Sequence, residues 1–177
     1  YIDSEALDLL IENKDRVYVG PAIAWEMAFL ENAEKMGYKS DSREVIEYQK
    51  ELEETISSYK KMKDAGIKIL VGGDYGLDIA PHGTYAKDLE HYVNLFGFSN
   101  AEAMHCATSL GGEAMDNNGL LGTLEEGKLA DLVIVDGNPL EDITVLQDHK
   151  KIKAVMKDGL IYQGLTNKIN PYLNENL

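Results

Sequence analysis

No cysteine pair is available to this chain. Cys106 stands alone among 177 residues, which excludes an internal disulfide framework and a multi-cysteine zinc site; a lone thiol suits a reducing compartment and is expected to pack in the core. Positive charge is also scarce. With 17 basic against 31 acidic residues the formal net charge is -14, and phosphate backbones and anionic headgroups are bound chiefly through Lys and Arg. Nucleic acid and membrane are therefore not expected as partners. No apolar run approaches the roughly 18 to 20 residues of a membrane-spanning helix, and no basic segment followed by an apolar one opens the sequence. A cytoplasmic location is the matching expectation. Internal repeats and low-complexity stretches are absent as well. What remains, 44% hydrophobic and 27% charged, is the composition of a globular chain able to bury a core.

Asp3-Ser4-Glu5-Ala6-Leu7 reads as a helix N-cap and first turn, predicting a short helix over 4–13. An opening at Tyr1, directly into such a turn, suits a chain whose upstream part is missing. Residues 16–21 form a brief β-rich run stopped by Gly20-Pro21, and a helix is expected over 25–36, ending at Gly37. Val45, Leu52, Ile56, Tyr59 and Met62 recur at helical spacing, so 41–65 is the longest expected helix, with Gly66 to close it. A β-branched run, 67–71, follows at once, then a glycine-rich loop, then an amphipathic segment over 86–96 capped by Gly97. Strand, helix, strand, helix in this order indicates parallel βα units. Ser99 and Glu102 have capping-box spacing and start a further helix towards Met115. Beyond Asn117-Asn118-Gly119 the pattern shifts to short β runs, 129–135, 152–156 and 160–163, the last two flanking an Asp158-Gly159 hairpin turn.

Chemistry is first suspected in VGGDYG, because an acid just past a parallel strand stands at the sheet edge where α/β active sites are built. Gly72, Gly73 and Gly76 permit sharp turns and leave room beside Asp74. From this loop alone, a cap on the following turn and a functional carboxylate are equal readings of Asp74. The string fits neither GxGxxG nor GxxxxGK[ST], and a forward carboxylate would repel phosphate. His82, between Pro81 and Gly83 in the same loop, is a candidate for contact with substrate or an oxyanion, against an exposed or structural role. Tyr75 and Asp78 share the loop with lesser claims.

The succession IKILVGGDYG, PHGTYAKDLEHYVNLFGFSNAEAMHCATSLGGEAM, LGTLEEGKLADLVIVDGNPLEDI and VMKDGLIYQ resembles the C-terminal third of amidohydrolase-superfamily enzymes. The likeness is to the branch of imidazolonepropionase-like proteins and metal-dependent Xaa-Pro dipeptidases. It covers most of residues 1–163, and the opening YIDSEALDLLIENKDRVYVGPAI is similar to the segment that follows a late metal-binding histidine. The resemblance implies a (β/α) barrel holding one or two divalent metals, usually zinc. Its ligands there are a His-x-His pair on the first strand, a bridging lysine or carboxylate, two later histidines and an aspartate after the last strand. Asp74 matches that aspartate, and it is the only ligand carried over. No His-x-His occurs, and the histidines at 82, 91, 105 and 149 all follow Asp74, so the remaining ligands are expected upstream.

A carboxylate beside a metal-activated water can take its proton and deliver it to a leaving nitrogen, a step that C–N cleavage requires. His91, beside Leu89 and Tyr92, reads as a packing or surface residue, and His149 between charged neighbours as solvated. His105 and Cys106 do not form a ligand pair, since adjacent helix positions point about 100° apart. Gly122, Gly127 and Gly137 are turn residues, and Asp131 is expected to make a structural hydrogen bond at a strand start.

The architecture expected is α/β: closing βα units of a TIM-like barrel over 1–118, a small β-rich composite module over 119–163, and a surface tail over 164–177. The function expected is metal-dependent hydrolysis of an amide, peptide or cyclic amide bond in a small-molecule or short peptide substrate. Asp74 serves as metal ligand and proton shuttle, with His82 and Tyr75 towards substrate. Two other classes stay open: a non-catalytic binding or assembly domain of the same fold, and a related hydrolase of esters or aminated rings. The apolar faces of the two barrel strands would be covered by the missing N-terminal portion or, in a homo-oligomer, by a second copy.

Overall fold

The computed structural model describes residues 2–115 and 118–164. The expected tail therefore lies outside the described residues, apart from Gly164. Among the described residues six helices precede a three-stranded sheet: α1 (Ser4–Glu12), α2 (Ile23–Asn32), α3 (Arg43–Asp64), α4 (Lys87–Phe96), α5 (Asn100–Ala107) and α6 (Ser109–Met115). The strands are β1 (Leu132–Val135), β2 (Ile152–Lys157) and β3 (Leu160–Gly164), with a 3-10 helix (Ile143–Gln147) between the first two.

Helix ends follow their local chemistry. The Asp3 carboxylate accepts from the Ala6 N–H and starts α1, and Ser42 accepts from the Val45 N–H to start α3. The far end of α3 closes on Gly66 at φ 75°. There the Ile67 N–H donates to the Met62 carbonyl and the Gly66 N–H to that of Lys63, the paired bonds of a Schellman motif. The closure turns Ile67 into the core and launches 67–71 in an extended path. α4 ends similarly on Gly97 at φ 75°, with the Phe98 N–H donating to the Tyr92 carbonyl, and Phe98 is buried in consequence.

The two runs expected as strands, 16–21 and 67–71, meet in a single parallel bridge, Val19 with Ile69. The Val19 N–H donates to the Lys68 carbonyl and the Leu70 N–H to the Val19 carbonyl, both at 2.9 Å. The pairing is parallel, as expected, but shorter than a regular ladder. Among the described residues neither run has a strand on its other edge, and a two-stranded ribbon alone is marginal. Below the bridge, Lys68 Nζ donates to Glu113 Oε1 (2.7 Å) and to the Asp15 carbonyl (3.0 Å), and the Tyr18 hydroxyl donates to Glu113 Oε1 (2.9 Å). These bonds anchor the start of both runs to α6.

The core gathers Ile23 of α2, Met62 of α3, Ile67 and Ile69, Leu89, Tyr92 and Phe96 of α4, Ala103 and Cys106 of α5, Leu110 of α6 and Ile143. Phe96 stacks on Tyr59 at 4.9 Å between centroids. The Tyr92 hydroxyl, inside the core, donates to the Leu70 carbonyl at 2.5 Å. Cys106 packs as expected, and burial pushes its thiol up to about 11.

Two departures from the sequence reading have clear causes. The helix expected from Ser99 to Met115 breaks at Thr108, whose hydroxyl bonds back to the Met104 carbonyl. Past the break Gly112 lies against Gly122, so close that a Cβ there would stand 2.6 Å from the Gly122 Cα. The 3-10 helix was not anticipated either. Its Ile143 enters the core, and Gln147 donates to Glu90 of α4 at 2.8 Å, so the β1–β2 connection docks on α4.

The sheet is antiparallel in the order β1-β2-β3. The β2–β3 turn has Asp158 at φ 50° and Gly159 at φ 76°, the left-handed pair of a type I′ turn. Asp131 Oδ1 accepts from the Asp158 N–H at 2.6 Å, which gives Asp131 the structural role read from sequence.

In the complete protein, Phe96→Ala should cost about 3–5 kcal/mol, because a fully enclosed ring is lost from the centre of the core. Tyr92→Phe should cost about 1–2 kcal/mol through the buried Leu70 carbonyl left without its donor. Urea unfolding of both variants checks the ranking.

Candidate functional site

The loop leaving 67–71 is shaped by its glycines. A Cβ at Gly73 would lie 2.5 Å from Tyr75 Cε2 and 2.9 Å from the Ala24 Cβ, so the Tyr75 ring folds back over Gly73 and against α2 only because no side chain is there. Gly76 adopts φ 116°, and its N–H donates to the Ala80 carbonyl at 2.9 Å across a tight turn over 77–80. That turn returns the chain so that the His82 imidazole covers Gly76, with Nε2 3.0 Å from where a Cβ would stand.

Asp74 is exposed directly beyond the extended run, and its carboxylate has no hydrogen-bond or ion-pair partner among the described residues. Asp78 is exposed on the turn. The other two candidates are brought together by a residue the sequence reading did not single out. Tyr85 Oη lies 2.7 Å from His82 Nδ1, and the Tyr85 ring meets that of Tyr75 edge to face at 4.7 Å and 89°. One face of the loop therefore carries a continuous His82–Tyr85–Tyr75 cluster.

Behind Tyr75 sits a second unanticipated group. Asp88, in the first turn of α4, is fully buried, and neither carboxyl oxygen completes a hydrogen bond; the buried Tyr75 hydroxyl is likewise unpaired. The two groups are close enough to perturb each other. Burial pushes Asp88 up to about 6, opposed by Tyr75, while burial and then the Asp88 charge push Tyr75 upward. The positive end of α4 favours a carboxylate, but full enclosure outweighs it. A signal for Asp88 was present: Asp88, Tyr92 and Phe96 fall at i, i+4 and i+8, placing an acid on the buried stripe.

The remaining histidines behave as read. His91 is buried on α4, its pKa lowered by burial and by Lys87. His105 Nδ1 pairs with Ser109 Oγ at 2.5 Å, and His149 is exposed. No group of three or more His, Cys, Asp or Glu able to hold a metal ion occurs among the described residues. The described residues thus do not make a metal centre by themselves. No helix among them is long and apolar enough to cross a membrane.

The model of the amidohydrolase family matches residues 1–161. The ochratoxinase of Aspergillus niger is 32% identical over 169 residues, covering 93% of this chain and 32% of its own length. Its crystal structure superposes with a TM-score of 0.77 at 28% identity, over 93% of this chain and 35% of that one. A Xaa-Pro dipeptidase with bound methionine in its active site gives a TM-score of 0.70 at 34% identity, covering 92% and 38% of the two chains. A putative prolidase from Bifidobacterium longum gives 0.77 at 26% identity, covering 90% and 39%. The chain spans about a third of the length of the curated relatives it matches.

The Asp88 environment carries a pH signature. Its folded-state pKa, about 6, lies above the ordinary 3.8, so its contribution is present in full below the ordinary value and is lost as pH rises through about 6. Relative to Asp88→Asn, the wild-type complete protein should lose roughly 2–3 kcal/mol between about pH 4 and 6.5. Denaturant titration of both at several pH values measures that difference, and parallel curves would refute it.

Proposed function

The chain belongs to the amidohydrolase family, and from that premise we propose that it forms part of a hydrolase cleaving the C–N bond of an amide, peptide or cyclic amide. The observation that carries the reading is Asp74, an unpartnered, exposed carboxylate directly beyond a run that pairs in parallel with a neighbour. In this proposal 16–21 and 67–71 are the closing strands of a TIM-like barrel, residues 1–118 belong to that barrel, and 119–163 form a composite β module. Similarity to an ochratoxinase and a Xaa-Pro dipeptidase supports the substrate class.

The part assigned to Asp74 follows from carboxylate chemistry. It accepts a proton from the attacking water and returns it to the nitrogen as the C–N bond breaks, so that an amine leaves instead of an amide anion. His82 and Tyr75, on the clustered face of the same loop, are assigned to substrate contact. Asp74 is also proposed to contribute one ligand to a divalent metal, zinc being the ion the resemblance implies. A catalytic zinc needs about three protein ligands, so the others must come from outside the described residues.

The complete protein should hydrolyse at least one member of a panel of Xaa-Pro dipeptides, N-acyl amino acids and ochratoxin, whereas residues 1–177 alone should hydrolyse none. Asp74→Asn in the complete protein should leave the fold intact and lower kcat by about 10²–10⁴-fold. Near-normal turnover in that variant would refute the role. Inactivity of the complete protein towards every amide, with binding retained, would favour a non-catalytic domain; activity on esters or aminated rings instead would relocate the chemistry.

A further inference from the structure

The Tyr75 hydroxyl and both carboxyl oxygens of Asp88 are buried without a completed hydrogen bond, and the two side chains are near enough for each to shift the other's proton affinity. A buried acid without a full set of partners is costly and is not explained by packing, since an apolar side chain would fill the place better. Its neighbours suggest what it does. One turn along α4, Tyr92 bonds the Leu70 carbonyl and so fixes the end of the extended run. Asp88, a turn nearer the helix start, meets the first aromatic residue after Asp74. From Tyr75 the contacts continue outward, edge to face onto Tyr85 and from the Tyr85 hydroxyl to His82 Nδ1.

We propose that Asp88 is a positioning residue for the candidate site, holding Tyr75 from beneath and, through Tyr85, setting where the His82 imidazole stands. The inference rests on the reading of the Asp74 loop as the substrate-facing loop, and it adds the element that orders that loop. Asp88 touches no substrate. Its effect would reach the surface through the two observed contacts beyond Tyr75, ring to ring onto Tyr85 and hydroxyl to imidazole onto His82, across a loop whose glycines leave the backbone freer than other residues would. Removing the carboxyl frees Tyr75 to turn, and His82 loses its fixed place relative to Asp74. Binding should suffer more than the chemical step.

The test uses the complete protein, with Asp88→Leu, Asp88→Asn, Tyr75→Phe and the double variant Asp88→Leu/Tyr75→Phe. On whichever amide of the panel is turned over, Asp88→Leu and Tyr75→Phe should each raise KM about tenfold while kcat changes little. The double variant should be no worse than the worse single one, and Asp88→Asn, which keeps the shape and a polar head, should restore KM to within about threefold. Independently of activity, the NMR signals of the His82 ring should shift in both single variants. Multiplying KM effects, an unmoved His82 ring, or a fall in thermal stability with KM unchanged would each overturn the proposal. Should Asp88→Leu fail to fold, Tyr75→Phe and Asp88→Asn decide by the same His82 readout. An active Asp74→Asn enzyme would sink the reading of the site but not the His82 coupling, so the two failures are distinguishable.

Discussion

The buried face of α4 is the constraint on which the rest depends. Leu89, Tyr92 and Phe96 share one core with Ile67 and Ile69 of the extended run and with the helices around it, and Asp88 is buried on the same helix. The Tyr92 hydroxyl is then able to bond a main-chain carbonyl of that run. Apolar burial brings the helix to the run, at about 25 cal/mol for each Å² removed from water, but burial has no direction. The hydrogen bond supplies the direction, because a buried phenol must find an acceptor and only one placement of the helix gives it Leu70. α5 and the 3-10 helix both take their places relative to α4, the second through Ile143 and Gln147. The loop bearing Asp74 is the segment between the two partners in this contact.

Charge is arranged differently at the two ends of the parallel pair. At its start, Lys68 lies over the Tyr18 ring and is paired with Glu113, and the pairing lowers the pKa of that acid. At its far end Asp74 has no such cation. A paired acid serves structure, and its proton affinity is suppressed by the cation beside it. The same acidic composition therefore yields one end braced by ion pairing and one end left open.

Much of the fold was legible because its signals are local. Capping residues Asp3 and Ser99, closing glycines 66 and 97, and the Asp158-Gly159 turn act through their own neighbours in sequence. Where distant contacts decide, the reading fell short. The segment past Thr108 is seated by Gly112 meeting Gly122, and the 3-10 helix depends on Ile143 reaching the core. At the candidate site Asp74 was named from the family resemblance, and Tyr75 and His82 from their place in the same loop. Tyr85 was not, because its value lies in standing between two rings. Asp88 was concealed by habit, since an acid in a first helical turn ordinarily reads as a solvated partner of the helix dipole.

The closure of α3 also has a consequence for how this chain can change length. From Gly66 the path is extended, and in extended chain successive side chains alternate between opposite faces. Helix closure at one end and the Tyr92–Leu70 bond in the middle fix that alternation in place. The segment from Gly66 to Leu70 therefore acts as a ruler whose graduation is one residue. An insertion or deletion of a single residue within it would turn Ile67 or Ile69, both buried, out of the core. Insertions beside the exposed Leu77 and Asp78 leave that alternation untouched.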